Sequence, residues 1–111
     1  MSQQTEPRKV ALVTGGGTGI GRAVSLALAA KSIDVAVNYS RSEKEAADTV
    51  AEIEKLGAAG LAVRANVADD EEVRAMVQEV VGRFGRLDYL VNCAGKTVYV
   101  DMPDLEGLKP E

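Results

Sequence analysis

Four apolar residues, Val10-Ala11-Leu12-Val13, run directly into Thr14-Gly15-Gly16-Gly17-Thr18-Gly19-Ile20-Gly21, and this junction constrains the fold more than any other stretch. A continuous apolar run bounded by a turn signal reads as a strand covered on both faces. Beyond the turn, Ile20, Ala23, Val24, Ala27 and Leu28 recur at helical spacing and predict a helix over Ile20–Lys31 with one buried stripe. Glycines at 15, 19 and 21 then each have a physical role, in turn the tight bend off the strand, the close approach of the backbone to a ligand, and the close packing of the helix on the sheet. Unpaired N–H groups and the positive end of the helix dipole converge there, so the turn suits a phosphate.

The same alternation continues along the chain. Val35–Asn38 reads as a second strand. Ser42, with Glu45 at the matching capping-box position, opens a helix from Glu43 to about Leu56, with Gly57 as its stop. Ala59–Ala65 is the third strand. Asp69 and Glu72 open a third helix whose stripe is Val73, Met76, Val77, Val80, Val81 and Phe84, and Gly85 ends it. Leu87–Asn92 is the fourth strand, broken by Gly95. This βαβαβαβ order predicts the α/β class, with right-handed crossovers and helices on both faces of a parallel sheet. After Gly95 the period is lost, and residues 96–111, with Pro103, Gly107 and Pro110, read as loop.

Composition excludes several functions. With 46% hydrophobic residues in 111, the chain can bury one modest core. The longest apolar stretch free of charge and glycine, Ala23–Ala30, is far short of a membrane span, and the polar start Met1–Lys9 has no apolar signal core. A cytoplasmic protein with a flexible N-terminus over residues 1–8 is expected. Cys93 is the sole cysteine and histidine is absent, which excludes an internal disulfide and argues against a zinc site. A net charge of -4 with scattered Lys and Arg argues against a nucleic-acid surface. Arg22 reads as a surface cation.

Among phosphate loops, a Walker A motif would need lysine and a hydroxyl residue after Gly21, where Arg22 and Ala23 stand. The G-x-G-x-x-G fingerprint fails because Ile20 occupies its third glycine position. The observed T-G-x-x-x-G-I-G resembles the short-chain dehydrogenase/reductase family. Leu90-Val91-Asn92-Cys93-Ala94-Gly95 is similar to that family's L-V-N-N-A-G with cysteine for the second asparagine, and Asn66-Val67 resembles a position beside the adenine. The resemblance implies a Rossmann-type doubly wound parallel sheet of strand order 3-2-1-4, truncated after the fourth strand. Residues 9–95 would be the dinucleotide-binding portion and 96–111 a loop leading into a missing C-terminal half. It implies cofactor contacts from Gly15, Gly17, Thr18, Gly19, Ile20, Gly21, Asn66, Val67, Asn92, Cys93, Ala94 and Gly95. Asn92 has a second reading, a tie between neighbouring strands, and Cys93 a second one as a small buried filler.

The end of the second strand bears on the cofactor. Asn38-Tyr39-Ser40-Arg41-Ser42 carries no acid to accept from an adenosine ribose. Arg41 can pair with a 2′-phosphate, with the Ser40 and Ser42 hydroxyls adding bonds, so NADP(H) is preferred over NAD(H). The family's Y-x-x-x-K is not found: four residues after Tyr39, Tyr89 and Tyr99 stand Glu43, Cys93 and Pro103. No catalytic residue is assigned. The leading expectation is the N-terminal portion of an NADP(H)-dependent oxidoreductase acting on a carbonyl or alcohol, either 3-oxoacyl-reductase-like or sugar/alcohol-dehydrogenase-like. The alternative is a catalytically silent nucleotide-binding or interaction module. A methyltransferase-like protein is disfavoured by the absent acid after the second strand. Truncation would bare Leu90 and Val91 on the fourth strand as an edge for self-association.

Overall fold

The computed structural model describes residues 8–93. Seven elements alternate: β1 (Val10–Thr14), α1 (Gly19–Ala30), β2 (Asp34–Tyr39), α2 (Glu43–Lys55), β3 (Gly60–Arg64), α3 (Asp70–Phe84) and β4 (Tyr89–Asn92). All strand pairs are parallel and the order is β3-β2-β1-β4. This is the expected doubly wound sheet. β1 pairs on both sides, which is why its five residues are all buried and why its sequence shows no polar alternation.

Strand side chains divide between two cores by their period of two. Val10, Leu12, Ala36 and Val63 join Met76 and Val80 of α3 on one face, with Leu87 closing that core ahead of β4. Val13, Val35 and Val37 join Ala29 of α1 with Ala46 and Ile53 of α2 on the other. Leu87 lies outside β4, whose pairing begins at Tyr89, so the fourth strand is shorter than expected.

Two helix faces depart from expectation. In α1 the buried residues are Gly21, Ser25 and Ala29, whereas Ile20 is 76% exposed and Ala23 and Ala27 are exposed. Val24 and Leu28 of the expected stripe do pack against the sheet core, but the fully buried line beside them is made of small residues, which apolarity does not pick out. In α3 the stripe holds at Met76 and Val80, but Val81 is exposed.

Capping also differs in detail. Asp69 accepts from the N–H groups of Glu71 at 2.9 Å and Glu72 at 3.2 Å, and Gly85 closes α3 in the left-handed region at φ 86°. The Glu72 carboxylate does not return to Asp69; it accepts from the N–H of Asn66 at 2.8 Å. Ser42 holds the N-cap position of α2 without a side-chain cap hydrogen bond, so no capping box forms there.

At the amino end of the sheet, the Asp88 carboxylate accepts from Val10 N at 2.8 Å and from both Arg86 Nε at 2.8 Å and Arg86 Nη2 at 2.7 Å. The Arg86 hydrogen bonds hold this carboxyl below the usual aspartate range; partial burial opposes them, and the Val10 N–H and the charge of Lys9 add to them. Because the folded value is depressed, the stabilisation is present at neutral pH and lost as pH falls below about 4 through the folded value. Asp88→Asn is therefore expected to cost about 1 kcal/mol at pH 7, after allowing for solvent screening. Urea unfolding at a series of pH values checks this: the gap between the two proteins should close on acidification.

Candidate functional site

The carboxyl ends of β1 and β2 support the glycine turn. Gly15 and Gly19 lie at φ 62° and φ 55°, a region that L side chains rarely adopt. Gly15 N donates to Asn38 Oδ1 at 3.1 Å and Gly16 N to the Asn38 carbonyl at 3.1 Å, fastening the turn to β2. A Cβ on Gly21 would overlap the Gly15 carbonyl oxygen and lie 2.8 Å from Gly16 Cα, so the turn folds back on the first turn of α1. The close packing expected of Gly21 on the sheet is instead against the turn itself. Gly17 is crowded from the other side by Ala46 of α2, whose N and Cα would stand 3.0 Å from a Cβ there. At Gly19 nothing lies within 4 Å, leaving open space in front of the helix start.

Thr18 occupies the N-cap of α1 with extended backbone and no side-chain cap bond. The first N–H of the helix to find a carbonyl below it is that of Arg22, on Thr18 O at 3.2 Å. The N–H groups of Gly19, Ile20 and Gly21 precede that bond and have no intrahelical acceptor, the arrangement that attracts an anion.

Beside this helix start lies a cleft of about 220 Å³, lined by Gly15, Gly17, Thr18, Asn38, Tyr39 and the Ser40-Arg41-Ser42 segment. Arg41 is exposed, and no carboxylate lines the cleft among the described residues. Asn38, which the sequence did not single out, is 2% exposed. Its Nδ2 group donates to the Ala65 carbonyl at 3.1 Å and lies 3.4 Å from that of Val63, so one side chain joins the turn, β2 and β3.

Other expected site residues sit elsewhere on the same carboxyl edge. Asn66 and Val67 follow β3, are exposed, and do not line the cleft. Asn66 Oδ1 accepts from Ala68 N at 2.9 Å, an Asx turn that leads into α3. Asn92 is level with Thr14, and its Oδ1 accepts from Thr14 Oγ1 at 2.8 Å, a tie between β4 and β1. Cys93 is half-buried against the core on the α1 and α2 face, and its N–H lies 3.1 Å from both the carbonyl and the hydroxyl of Thr14. Thr14, the first residue of the T-G-x-x-x-G-I-G motif, is thus a second anchor, a role the motif does not reveal. Ala94 and Gly95 lie outside the described residues. Arg22 is not a free surface cation: its Nη1 donates to Thr49 Oγ1 at 3.0 Å. Among the described residues no group of side chains is suited to a metal ion, and no helix is long and apolar enough to cross a membrane.

The profile of the short chain dehydrogenase family matches residues 9–108. The chain belongs to the short-chain dehydrogenase/reductase family. A Bacillus subtilis relative, the short-chain dehydrogenase/reductase homolog YusS, is 50% identical over 88% of this chain and 90% of its own length. The 3-oxoacyl-[acyl-carrier-protein] reductase FabG of Staphylococcus aureus is 53% identical over 80% of this chain but only 36% of its own length. The chain therefore spans most of one relative and about a third of the other. Among solved structures, a Sinorhizobium meliloti protein described as a short-chain dehydrogenase/reductase is similar with a TM-score of 0.77 at 40% identity, over 85% of this chain and 43% of that one. A Burkholderia cenocepacia protein described as a dehydrogenase, solved with bound NADP, is similar with a TM-score of 0.75 at 27% identity, over 78% of this chain and 34% of that one.

Proposed function

We propose that the cleft holds NADP(H) and that this chain is the nucleotide-binding portion of a short-chain oxidoreductase that reduces carbonyls or oxidises alcohols. One observation carries the reading. The glycine turn and the Ser40-Arg41-Ser42 segment line a single cleft that offers one cation and, among the described residues, no acid. The pyrophosphate would take the N–H groups at the start of α1, in the space left open at Gly19. The 2′-phosphate would take the Arg41 guanidinium and the Ser40 and Ser42 hydroxyls. Asn66 and Val67 would border the adenine, and Asn92 through Gly95 the ribose beside the nicotinamide. When bound, the cofactor supplies or accepts a hydride; the chain's own residues bind and orient it. Residues 9–95 form this portion in the proposal, within an oxidoreductase of the cytoplasm. FabG, as a 3-oxoacyl-[acyl-carrier-protein] reductase, makes that class of carbonyl a candidate substrate.

Arg41→Asp tests the reading. Replacing the cation by an acid is expected to weaken NADPH binding by about ten- to hundredfold while leaving NADH binding unchanged or stronger. Calorimetric titration with each cofactor measures it, and an unaltered preference would remove Arg41 from the account.

A second reading is favoured by YusS, a relative of which this chain covers 90%. A short family member of that extent is compatible with a catalytically silent nucleotide-binding module. Reading the encoding DNA past codon 111 separates the two: an open frame carrying a serine and Y-x-x-x-K supports the oxidoreductase, and a stop together with stable folding and NADPH binding supports the module.

A further inference from the structure

We infer that Thr49, held by Arg22, is a positioning residue that locks the glycine turn onto α2 and so sets the separation of the two walls of the cleft. The inference rests on the cofactor reading of that cleft. Thr49 is completely buried, and its hydroxyl lies 3.1 Å from the carbonyl of Gly17 and 2.9 Å from that of Glu45. Arg22 Nη1 donates to the same oxygen at 3.0 Å. A hydroxyl has one proton and two acceptor positions. Arg22 fills an acceptor position, and the proton is left to the two carbonyls. The bond to Glu45 is the ordinary back-bond of a helical threonine to the preceding turn, and it needs neither Arg22 nor the glycine turn. The Gly17 carbonyl is the acceptor that joins separate elements, and a guanidinium on the hydroxyl oxygen strengthens the O–H as a donor to it.

Peptide geometry carries this to the cleft. In a trans peptide the C=O and the following N–H point in opposite directions. Fixing the Gly17 carbonyl on α2 therefore turns the Thr18 N–H away from that helix. Gly17 also backs onto Ala46, one turn earlier in α2, at a spacing that leaves no room for a side chain. Two contacts one turn apart dock a rigid helix in register. The segment leading into that helix is Ser40-Arg41-Ser42, so a shift of α2 against the turn would move Arg41 relative to Gly17 and Thr18.

The test compares the full chain with Thr49→Val, which keeps the shape and removes the hydroxyl, and Thr49→Ser, which restores the hydroxyl. Calorimetric titration should give about tenfold weaker NADPH binding for Thr49→Val, a smaller loss for NADH, and near wild-type values for Thr49→Ser. Arg22→Met, which keeps the apolar stem, should show a lesser loss in the same direction and serves if Thr49→Val does not fold. Without cofactor, nitrogen-15 NMR should show the Gly17 and Thr18 amides displaced in Thr49→Val and faster to exchange. A general loss of stability would not change the ratio of NADPH to NADH affinity, and that ratio separates positioning from scaffolding. A folded Thr49→Val chain with wild-type affinities and unmoved amides overturns the inference and leaves the cofactor reading intact. A wild-type chain that binds neither cofactor overturns both.

Discussion

Gly21→Ala is expected to destabilise the chain by about 3 kcal/mol or more and to abolish cofactor binding. The added Cβ would overlap the Gly15 carbonyl oxygen and stand 2.7 Å from the Gly15 carbonyl carbon, so neither group can yield by a change of rotamer. Relief requires α1 to lift or the turn to open. Lifting α1 exposes Gly21, Ser25 and Ala29 together, since they are its buried residues. Opening the turn breaks the hydrogen bonds from Gly15 and Gly16 to Asn38. Gly19→Ala is the informative comparison. Its cost is conformational, about 1–2 kcal/mol for a side chain at φ 55°, because nothing lies within 4 Å of the new methyl group. Urea unfolding of the two variants should rank them in that order, and a larger loss for Gly19→Ala would contradict the packing described for the turn.

The layout of the fold is legible in the sequence because it depends on signals that sit in single short windows. The Val10–Val13 run gives a strand covered on both faces, Asp69 and Gly85 bracket α3, and the alternation of elements gives the parallel order. The orientation of α1 is harder to read. Hydrophobicity assigns Ile20, Ala23, Val24, Ala27 and Leu28 inward; Val24 and Leu28 do pack on the core, but the fully buried residues are Gly21, Ser25 and Ala29, where small size rather than apolarity is required. The site divides in the same way. That glycine is required at 15, 19 and 21 can be read from spacing, since the positive φ of Gly15 and Gly19 and the contact of Gly21 with the turn are local, although Gly21 packs on the turn where spacing suggests the sheet. Asn38 and Thr49 cannot, nor can the role of Thr14 although it heads the motif, because each acts on groups distant in the chain: Asn38 on Ala65, Thr14 on Asn92, and Thr49 on Gly17. A polar residue inside an apolar strand, as at Asn38 and Thr14, is the available signal. Its meaning requires knowing which backbone groups end up opposite it.

Asn38→Ala is expected to cost about 3 kcal/mol and to weaken NADPH binding along with it. Asn38 is buried, and its amide uses both of its chemical faces. The oxygen accepts from Gly15 N at 3.1 Å, and the nitrogen donates to the Ala65 carbonyl at 3.1 Å, with the Val63 and Tyr39 carbonyls at 3.4 and 3.3 Å. Truncation leaves the Ala65 carbonyl without this partner where the bond is buried, and the Gly15 N–H without one at the partly exposed wall of the cleft; each such group costs about 1–3 kcal/mol, the buried one more. Asn38→Asp distinguishes this account from a simple loss of volume. The substitution keeps the acceptor for Gly15 but puts a second oxygen against the β3 carbonyls, so at neutral pH it should destabilise at least as strongly as alanine. Repulsion and burial would raise the folded pKa of the introduced acid above its unfolded value. The folded state then binds the proton more tightly, and stability should recover as pH falls toward about 5. Asn38→Ala should show no such recovery. Unfolding followed by circular dichroism from pH 8 to pH 5 reads the difference, and parallel pH profiles for the two variants would mean that the amide donor does not hold β2 to β3.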